Sequence, residues 1–407
     1  MSGGVLFVHI NFPAQFADLA GVLMGRGVRC MALGGTSARG IGDMPVARWS
    51  NARGSTPGIF PLATRAEADL IRGRAALEGA RALKASGYAP ELIIGHPGWG
   101  ETVLLREAFP KARQILFHEF FYAGHGLDID FDAEFLPPTE DMVLAGTAKN
   151  AVMSLALTQA DAIVAPTPFQ AGTLPKVFRP LTRIIHEGVD VDAIRPGPPE
   201  PFEVPEGPTL MPGTPVITHV NRNLEPMRGL HVFLRALPRL QAEVPQAHAV
   251  VIGSPSLRGY GGAAPDGRSW KDFVLDTVPG LDLSRVHFTG PLAHERMLAA
   301  LRLSTAHVYY TYPFVLSWSL AEAMASGCYV IGSDTAPVRD AIQDGVNGKL
   351  VGFFDVDGLS SALVQACRTP DAFAAQRAAA RATAETMFSR AKGRAAWLAL
   401  IKDVAGI

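Results

Sequence analysis

The sequence predicts an α/β protein built from two doubly wound Rossmann-like domains facing each other across a cleft. Three observations carry this reading. Short apolar runs alternate with helical stretches, as βαβ units and a parallel sheet require; one proline-rich segment interrupts the alternation; and a second alternating series comes after it. At 407 residues the chain is too long for one ordinary core, and a prior of about 150 residues per domain points to two. With 48% hydrophobic and 18% charged residues, the composition suits large buried sheets and excludes a disordered chain.

The first series of expected strands is 5–10, 28–33, 92–95, 114–118, 162–165 and 183–186. Gly188 then turns the chain, and Asp190 caps the segment beyond it. The segment 195–215 holds eight prolines and three glycines, the composition of a linker. The second series is 216–220, 249–253, 286–290, 306–310, 329–333 and 349–351. Domains are therefore expected at 1–195 and 196–384. The remainder reads as one docking helix over 384–404, with Phe388, Trp397, Leu398 and Ile401 at helical spacing. No repeat of 20 to 50 residues competes with this account.

Charge and cysteine content narrow the partners. A net charge of −1 offers no concentrated basic face, so nucleic acid is not an expected partner. Cys30, Cys328 and Cys367 lack the paired spacing of a zinc site or disulfide framework, which fits a reducing, cytoplasmic setting. The first residues read as a strand, so no secretory leader is expected, and no apolar run reaches the roughly 20 residues of a membrane span. The stretch 63–86 reads as an amphipathic helix whose Arg65, Arg72, Arg74, Arg81 and Lys84, mixed with Glu67, Asp69 and Glu78, form a solvated face. Peripheral attachment at the inner face of a membrane stays open through that helix.

Candidate chemistry sits after strands, where open α/β sheets bind ligands. The stretch 311–331 reads as strand, turn, small-residue helix and strand, with Ser317 and Ser319 at the helix start. Free amides and the helix dipole make such a terminus an anion site suited to a diphosphate. The competing reading is a capping box in which Glu322 reaches back toward Ser319. After strand 216–220, Arg222 and Arg228 flank the start of helix 230–240, and guanidiniums can grip phosphate oxygens two at a time. The glycine-rich stretch 257–270 is either a loop near the ligand or a surface excursion. Gly290 ends a strand where backbone groups could read a base. His96 and His118 end successive strands of the first domain and should point into the cleft. A metal at His118, His125, Asp128 and Asp130 is disfavoured because no standard ligand spacing appears.

These residues resemble the retaining glycosyltransferases of family 4, also described as glycosyl transferases group 1, which have the GT-B fold. The likeness is strongest over 222–352, in LAEAMASGCYVIGSD, RNLEPMRG, VHFTG and DGVNG, and weaker in QADAIVAPTPFQ and HEGVD. It implies a hexosyltransferase of glycan biosynthesis that moves a sugar from a nucleoside diphosphate donor to an unidentified glycan, lipid-linked, protein or small-molecule acceptor. No cofactor or metal is implied. The first domain would bind acceptor and the second donor, with the terminal helix 385–407 crossing back onto the first.

By the same resemblance Arg222 and Arg228 would hold the donor diphosphate, with Arg228 in place of the usual lysine. Glu322 would bind ribose as the second glutamate of a Glu-seven-residues-Glu motif. Leu316, Ser317, Ser319 and Leu320 would face phosphates and sugar, and His118 the transferred sugar. Phe314 stands where the first glutamate is usual, which suits a deoxyhexose. Asn11-Phe12-Pro13-Ala14-Gln15-Phe16 replaces the usual glycine-rich loop, with Phe12 and His96 as expected acceptor contacts. Two alternatives accompany this expectation: a sugar-nucleotide epimerase or hydrolase on the same fold, and a non-catalytic nucleotide-sugar-binding partner subunit.

Overall fold

The computed structural model describes residues 4–255, 257 and 259–407. They divide into two compact units. Unit 1 runs to Asp130, resumes over Pro138–Glu187 and ends with Ala391–Ile407; unit 2 comprises Phe131–Pro137 and Gly188–Arg390.

Unit 1 carries strands β1 (Gly4–Val8), β2 (Cys30–Gly34), β3 (Val46–Arg48), β4 (Pro90–Gly95), β5 (Arg113–Phe117), β6 (Ala162–Ala165) and β7 (Thr182–Ile184), paired in the order β3-β2-β1-β4-β5-β6-β7. In unit 2 a short pair, β8 (Phe202–Glu203) and β9 (Thr209–Leu210), precedes β10 (Val216–Asn223), β11 (His248–Ser254), β12 (Val286–Gly290), β13 (Ala306–Tyr309), β14 (Val330–Ser333) and β15 (Lys349–Val351). The last six are ordered β12-β11-β10-β13-β14-β15. Each large sheet is parallel and reverses its winding beside its first strand, the doubly wound topology.

Period-two packing explains β1. Val5 and Phe7 enter a core with Phe12, Phe16, Leu23 and Ile401, whereas Leu6 and Val8 enter another with Leu77, Ala80 and Tyr88. A strand buried on both faces must be apolar throughout, and GVLFV is. In unit 2 the small residues of the helix Trp318–Ala325 do comparable work. Ala321, Ala323 and Ala325 are buried and let it lie close to the sheet.

Three expectations need correction. The proline-rich segment is not a plain linker, because Phe202 and Glu203 pair antiparallel with Leu210 and Thr209. The chain also leaves unit 1 earlier, at Gly188 (φ 75°), where an added Cβ would lie 2.5 Å from the Arg390 amide nitrogen. Finally, the terminal docking helix is two helices, Ala374–Met387 and Arg390–Ala405. Val189 donates to the Phe388 carbonyl and accepts from the Arg390 amide, which takes those groups out of the helical ladder. Phe388 consequently packs in unit 2, and Trp397 and Ile401 in unit 1.

The helix Thr64–Ala85 carries its charges in pairs. Arg74 and Arg81 meet Glu78, whereas Arg65 and Arg72 both meet Asp69, which is buried rather than solvated. Among the described residues no helix is long and apolar enough to cross a membrane.

Burial also sets a pH dependence. Desolvation holds His118 and His307 down at about 3 and His219 at about 4, so these rings stay neutral in the fold. Below about 6.5 the unfolded chain takes protons that the folded rings refuse, so stability falls with acidification, by about 1.4 kcal/mol per pH unit for each such ring. Asp128, which burial raises to about 6, works in the opposite direction. The urea midpoint should therefore drop between pH 7.5 and 5, and drop less in His307→Asn. An unchanged slope in that variant would show that His307 takes no part.

Candidate functional site

In unit 2 the candidate residues gather where parallel strands end. β10 and β13 are neighbours, with His219 opposite Val308, so their exits share one edge of the sheet. Arg222 lies near the end of β10 rather than beyond it, is exposed, and makes no hydrogen bond or ion pair with the described residues. The β13 exit leads through Thr311–Leu316 to the helix Trp318–Ala325, whose N-cap is Ser317. The Ser317 amide donates to the Tyr309 hydroxyl at 2.7 Å, and the Ser317 and Ser319 hydroxyls bond each other at 2.5 Å. Leu316 and both serines are partly exposed, whereas Leu320 is buried and faces the core. An exposed guanidinium, two hydroxyls and a helix N-terminus at adjacent strand exits form an arrangement that can hold an anion.

The capping box does not form. With Ser317 as N-cap, Glu322 lies too deep in the helix to reach the first amides. Its carboxylate instead meets His294 Nε2 at 2.6 Å. Burial raises the Glu322 pKa and the imidazole opposes that rise. The pair leaves an oriented carboxylate at the edge of the site, an acceptor suited to hydroxyl groups.

Arg228, unlike Arg222, is buried. Its Nη1 donates to Thr311 Oγ1 and to the Val315 carbonyl, both at 2.9 Å, which brackets the loop between β13 and the helix. Its guanidinium carbon lies 5.8 Å from the ring centres of both Phe314 and Tyr260. Phe314 is itself buried, 5.3 Å from Tyr260. The glycine-rich stretch is therefore no free surface excursion. Glu225 accepts from the Gly261 amide at 3.2 Å, and a Cβ at Gly259 would collide with its carboxylate at 2.0 Å. Of that stretch, Arg258 lies outside the described residues. Gly290, at φ 68°, ends β12 with open space where a side chain would be.

In unit 1, His96 and His118 directly follow β4 and β5 as expected. Both are buried. His118 Nε2 lies 3.3 Å from Thr173 Oγ1, and His96 stacks on Trp99 at 4.5 Å between ring centres. The expected acceptor contact Phe12 is wholly buried, its ring centre 5.8 Å from that of Phe7. Two residues escaped the sequence reading. His9 directly follows β1 in the same position as the other two histidines, and that repeated placement was the available signal. Glu101 is fully buried in the loop after β4, with Oε1 accepting from the Ile10 amide at 3.2 Å. No local pattern marks it.

Among the described residues no cluster of three or more histidine, cysteine or carboxylate side chains is placed to hold a metal ion. His125 pairs with Asp130 at 3.1 Å. All three cysteines are free and buried.

Comparison with known proteins places these features in context. Residues 26–194 match the model described as Glycosyl transferase family 4 group, and residues 214–369 the one described as Glycosyl transferases group 1. D-inositol 3-phosphate glycosyltransferase of Mycobacterium avium is 30% identical over 206 residues, which cover 51% of this chain and 45% of that protein. The Mycobacterium tuberculosis protein of the same name is 29% identical over 202 residues, covering 49% and 39%. The chain thus spans less than half the length of these relatives. Among solved structures, sucrose-phosphate synthase from Thermosynechococcus elongatus superposes with a TM-score of 0.73 at 16% identity, covering 99% of both chains. Anabaena Alr3699/HepE in complex with UDP gives 0.67 at 16% identity, covering 98% of this chain and 100% of that one.

Proposed function

Because the chain belongs to family 4 of the glycosyl transferases and has the GT-B fold, we propose that it transfers a hexose from a nucleoside diphosphate sugar to an acceptor hydroxyl with retention of configuration. The observation that carries this is the shared exit of β10 and β13, where exposed Arg222 and the Ser317 helix start offer positive potential and hydroxyls to a diphosphate. UDP in the Anabaena complex supports a nucleotide donor. In the reaction the bond from the anomeric carbon to the diphosphate breaks and a bond to the acceptor oxygen forms on the same face. The hydroxyl proton passes to the departing phosphate.

The charge that develops on the leaving group would be met by Arg222, the helix end and the Ser317 and Ser319 hydroxyls, without a metal. Glu322, oriented by His294, would hold ribose hydroxyls. Phe314, 5.3 Å from the Tyr260 ring, stands where a carboxylate is usual, which favours a donor sugar lacking a hydroxyl, such as a deoxyhexose. His118 would contact the transferred sugar. The acceptor side belongs to unit 1, and the setting is cytoplasmic, with peripheral membrane contact as one route to a lipid-linked acceptor.

A thermal-shift titration with UDP, GDP, ADP, TDP and CMP, with and without magnesium, tests this. A ligand at 100 times its Kd adds about 2.7 kcal/mol, an easily seen shift. We expect one diphosphate to act selectively without magnesium, followed by turnover of one hexose or deoxyhexose donor in a paired screen. Silence from every nucleotide would overturn the donor site.

A further inference from the structure

Phe131–Pro137 belongs to unit 2, although the chain on either side of it belongs to unit 1. Its side chains account for that placement. The Phe131 ring lies 5.0 Å from Tyr312 and 5.1 Å from Phe353, centre to centre, and Phe135 lies 4.8 Å from His231 and 5.6 Å from Trp270. Asp132, between them in sequence, is 1% exposed and accepts from the Tyr312 hydroxyl and the Glu134 amide. Glu134 in turn pairs with Arg235 of the helix Leu230–Glu243.

These contacts reach both loops that carry the aromatic residues of the candidate donor site. Tyr312 sits in loop 311–316, which Arg228 grips at Thr311 and Val315, so Asp132 holds the stretch between those two points. The other loop is the glycine-rich one. Trp270 Nε1 donates to the Gly262 carbonyl at 2.9 Å, and a Cβ at Gly261 would stand 3.0 Å from Leu136 Cδ1. Phe314 of the first loop and Tyr260 of the second lie 5.3 Å apart between ring centres.

His231 marks the segment as more than a brace. It is wholly buried, 3.4 Å from the Asp132 carboxylate, and neither ring nitrogen has a hydrogen-bond partner. Buried polar atoms are almost always satisfied, and a contact that served stability alone would pair those nitrogens or replace them with carbon. We infer that Phe131–Pro137 sets the donor loop of unit 2, with Asp132 as a positioning residue that acts through Tyr312. The inference rests on the transferase reading and adds a residue which that reading does not contain. Loop 311–316 leads to the helix start that would meet the diphosphate, and a displacement of about 1 Å in a group that aligns reactants can cost about 10²-fold in rate.

Asp132→Asn keeps the size of the side chain, and Tyr312→Phe removes only a hydroxyl. On the full chain, well below the melting transition, each should lower kcat/KM for the donor identified by the nucleotide screen by tenfold or more and leave the acceptor KM unchanged. The double variant should be no worse than the poorer single one, because the two groups act as one. Hydrogen exchange gives a readout free of any ligand. The amides of Thr311, Tyr312 and Ser317 are bonded to Ser333, Met227 and Tyr309, so a peptide covering 311–317 should exchange at least tenfold faster in both variants, while peptides of β1 and β4 keep their rates. Wild-type donor kinetics, additive losses, or unchanged exchange over 311–317 would each overturn the inference, whether or not the melting temperature falls. Faster exchange there in a protein that turns over no nucleoside diphosphate sugar would remove the transferase reading and leave the positioning role standing.

Discussion

Replacing Arg222 by alanine should slow sugar transfer by about 10²- to 10³-fold while leaving the unfolding midpoint where it was. Both halves of that result come from its position. The side chain is exposed and makes no hydrogen bond or ion pair with the described residues, so its removal orphans nothing. Surface substitutions of that sort usually stay within about 0.5 kcal/mol. Its strand, β10, nevertheless ends beside β13, whose exit opens the Ser317 helix, and a fixed cation there would act on charge that develops as the diphosphate leaves. The loss should fall mainly on kcat, with a smaller effect on nucleotide affinity, because leaving-group charge is greatest in the transition state. Arg222→Lys should recover part of the rate, since it keeps the charge and loses the fork. Steady-state kinetics with the identified donor, alongside a melting curve, makes the measurement. A fully active Arg222→Ala protein would dismiss this residue from the site.

The readable features of this chain were those written in local pattern. Strands of unit 1 and unit 2 announced themselves as short apolar runs, because a parallel sheet covered on both faces needs unbroken hydrophobicity. β3 is three residues, Val46-Ala47-Arg48, too short for any period to show. β8 and β9 were hidden by the prolines around them. The break at Phe388 depends on a backbone partner, Val189, nearly two hundred positions earlier, and nothing near it in sequence signals the pairing.

At the candidate site the same division holds. Strand-end placement exposed Arg222, His96 and His118. What it could not reveal is where a side chain spends its hydrogen bonds. Glu322 fits a capping box by spacing and yet pairs with His294, because the N-cap lies at Ser317. Asp132 carries no local signal, yet it is buried and accepts from the Tyr312 hydroxyl and the Glu134 amide.

Arg228 should show the opposite mutational signature to Arg222, with stability and activity lost together. Its guanidinium is buried and bonds Thr311 Oγ1 and the Val315 carbonyl, so alanine leaves two buried acceptors and a cavity under the loop that leads to Ser317. Hydrogen bonds to a charged group contribute about 1.5–3 kcal/mol each, and a loss on the order of 3 kcal/mol is expected for Arg228→Ala. In a domain of this size that lowers the melting temperature by very roughly 6–12 °C. Transfer should also fall by tenfold or more, because the bracket holds the segment from Thr311 to Ser317 in the conformation that aims the helix start. Arg228→Lys separates the two effects. An ammonium can bond one acceptor or the other at the far end of a flexible stem, but it lacks the planar fork and stacks less well between Tyr260 and Phe314. It should therefore regain more activity than stability. If Arg228→Ala instead melted with the wild-type protein, the loop would be held by other contacts, and the only remaining role for this cation would be direct contact with the donor.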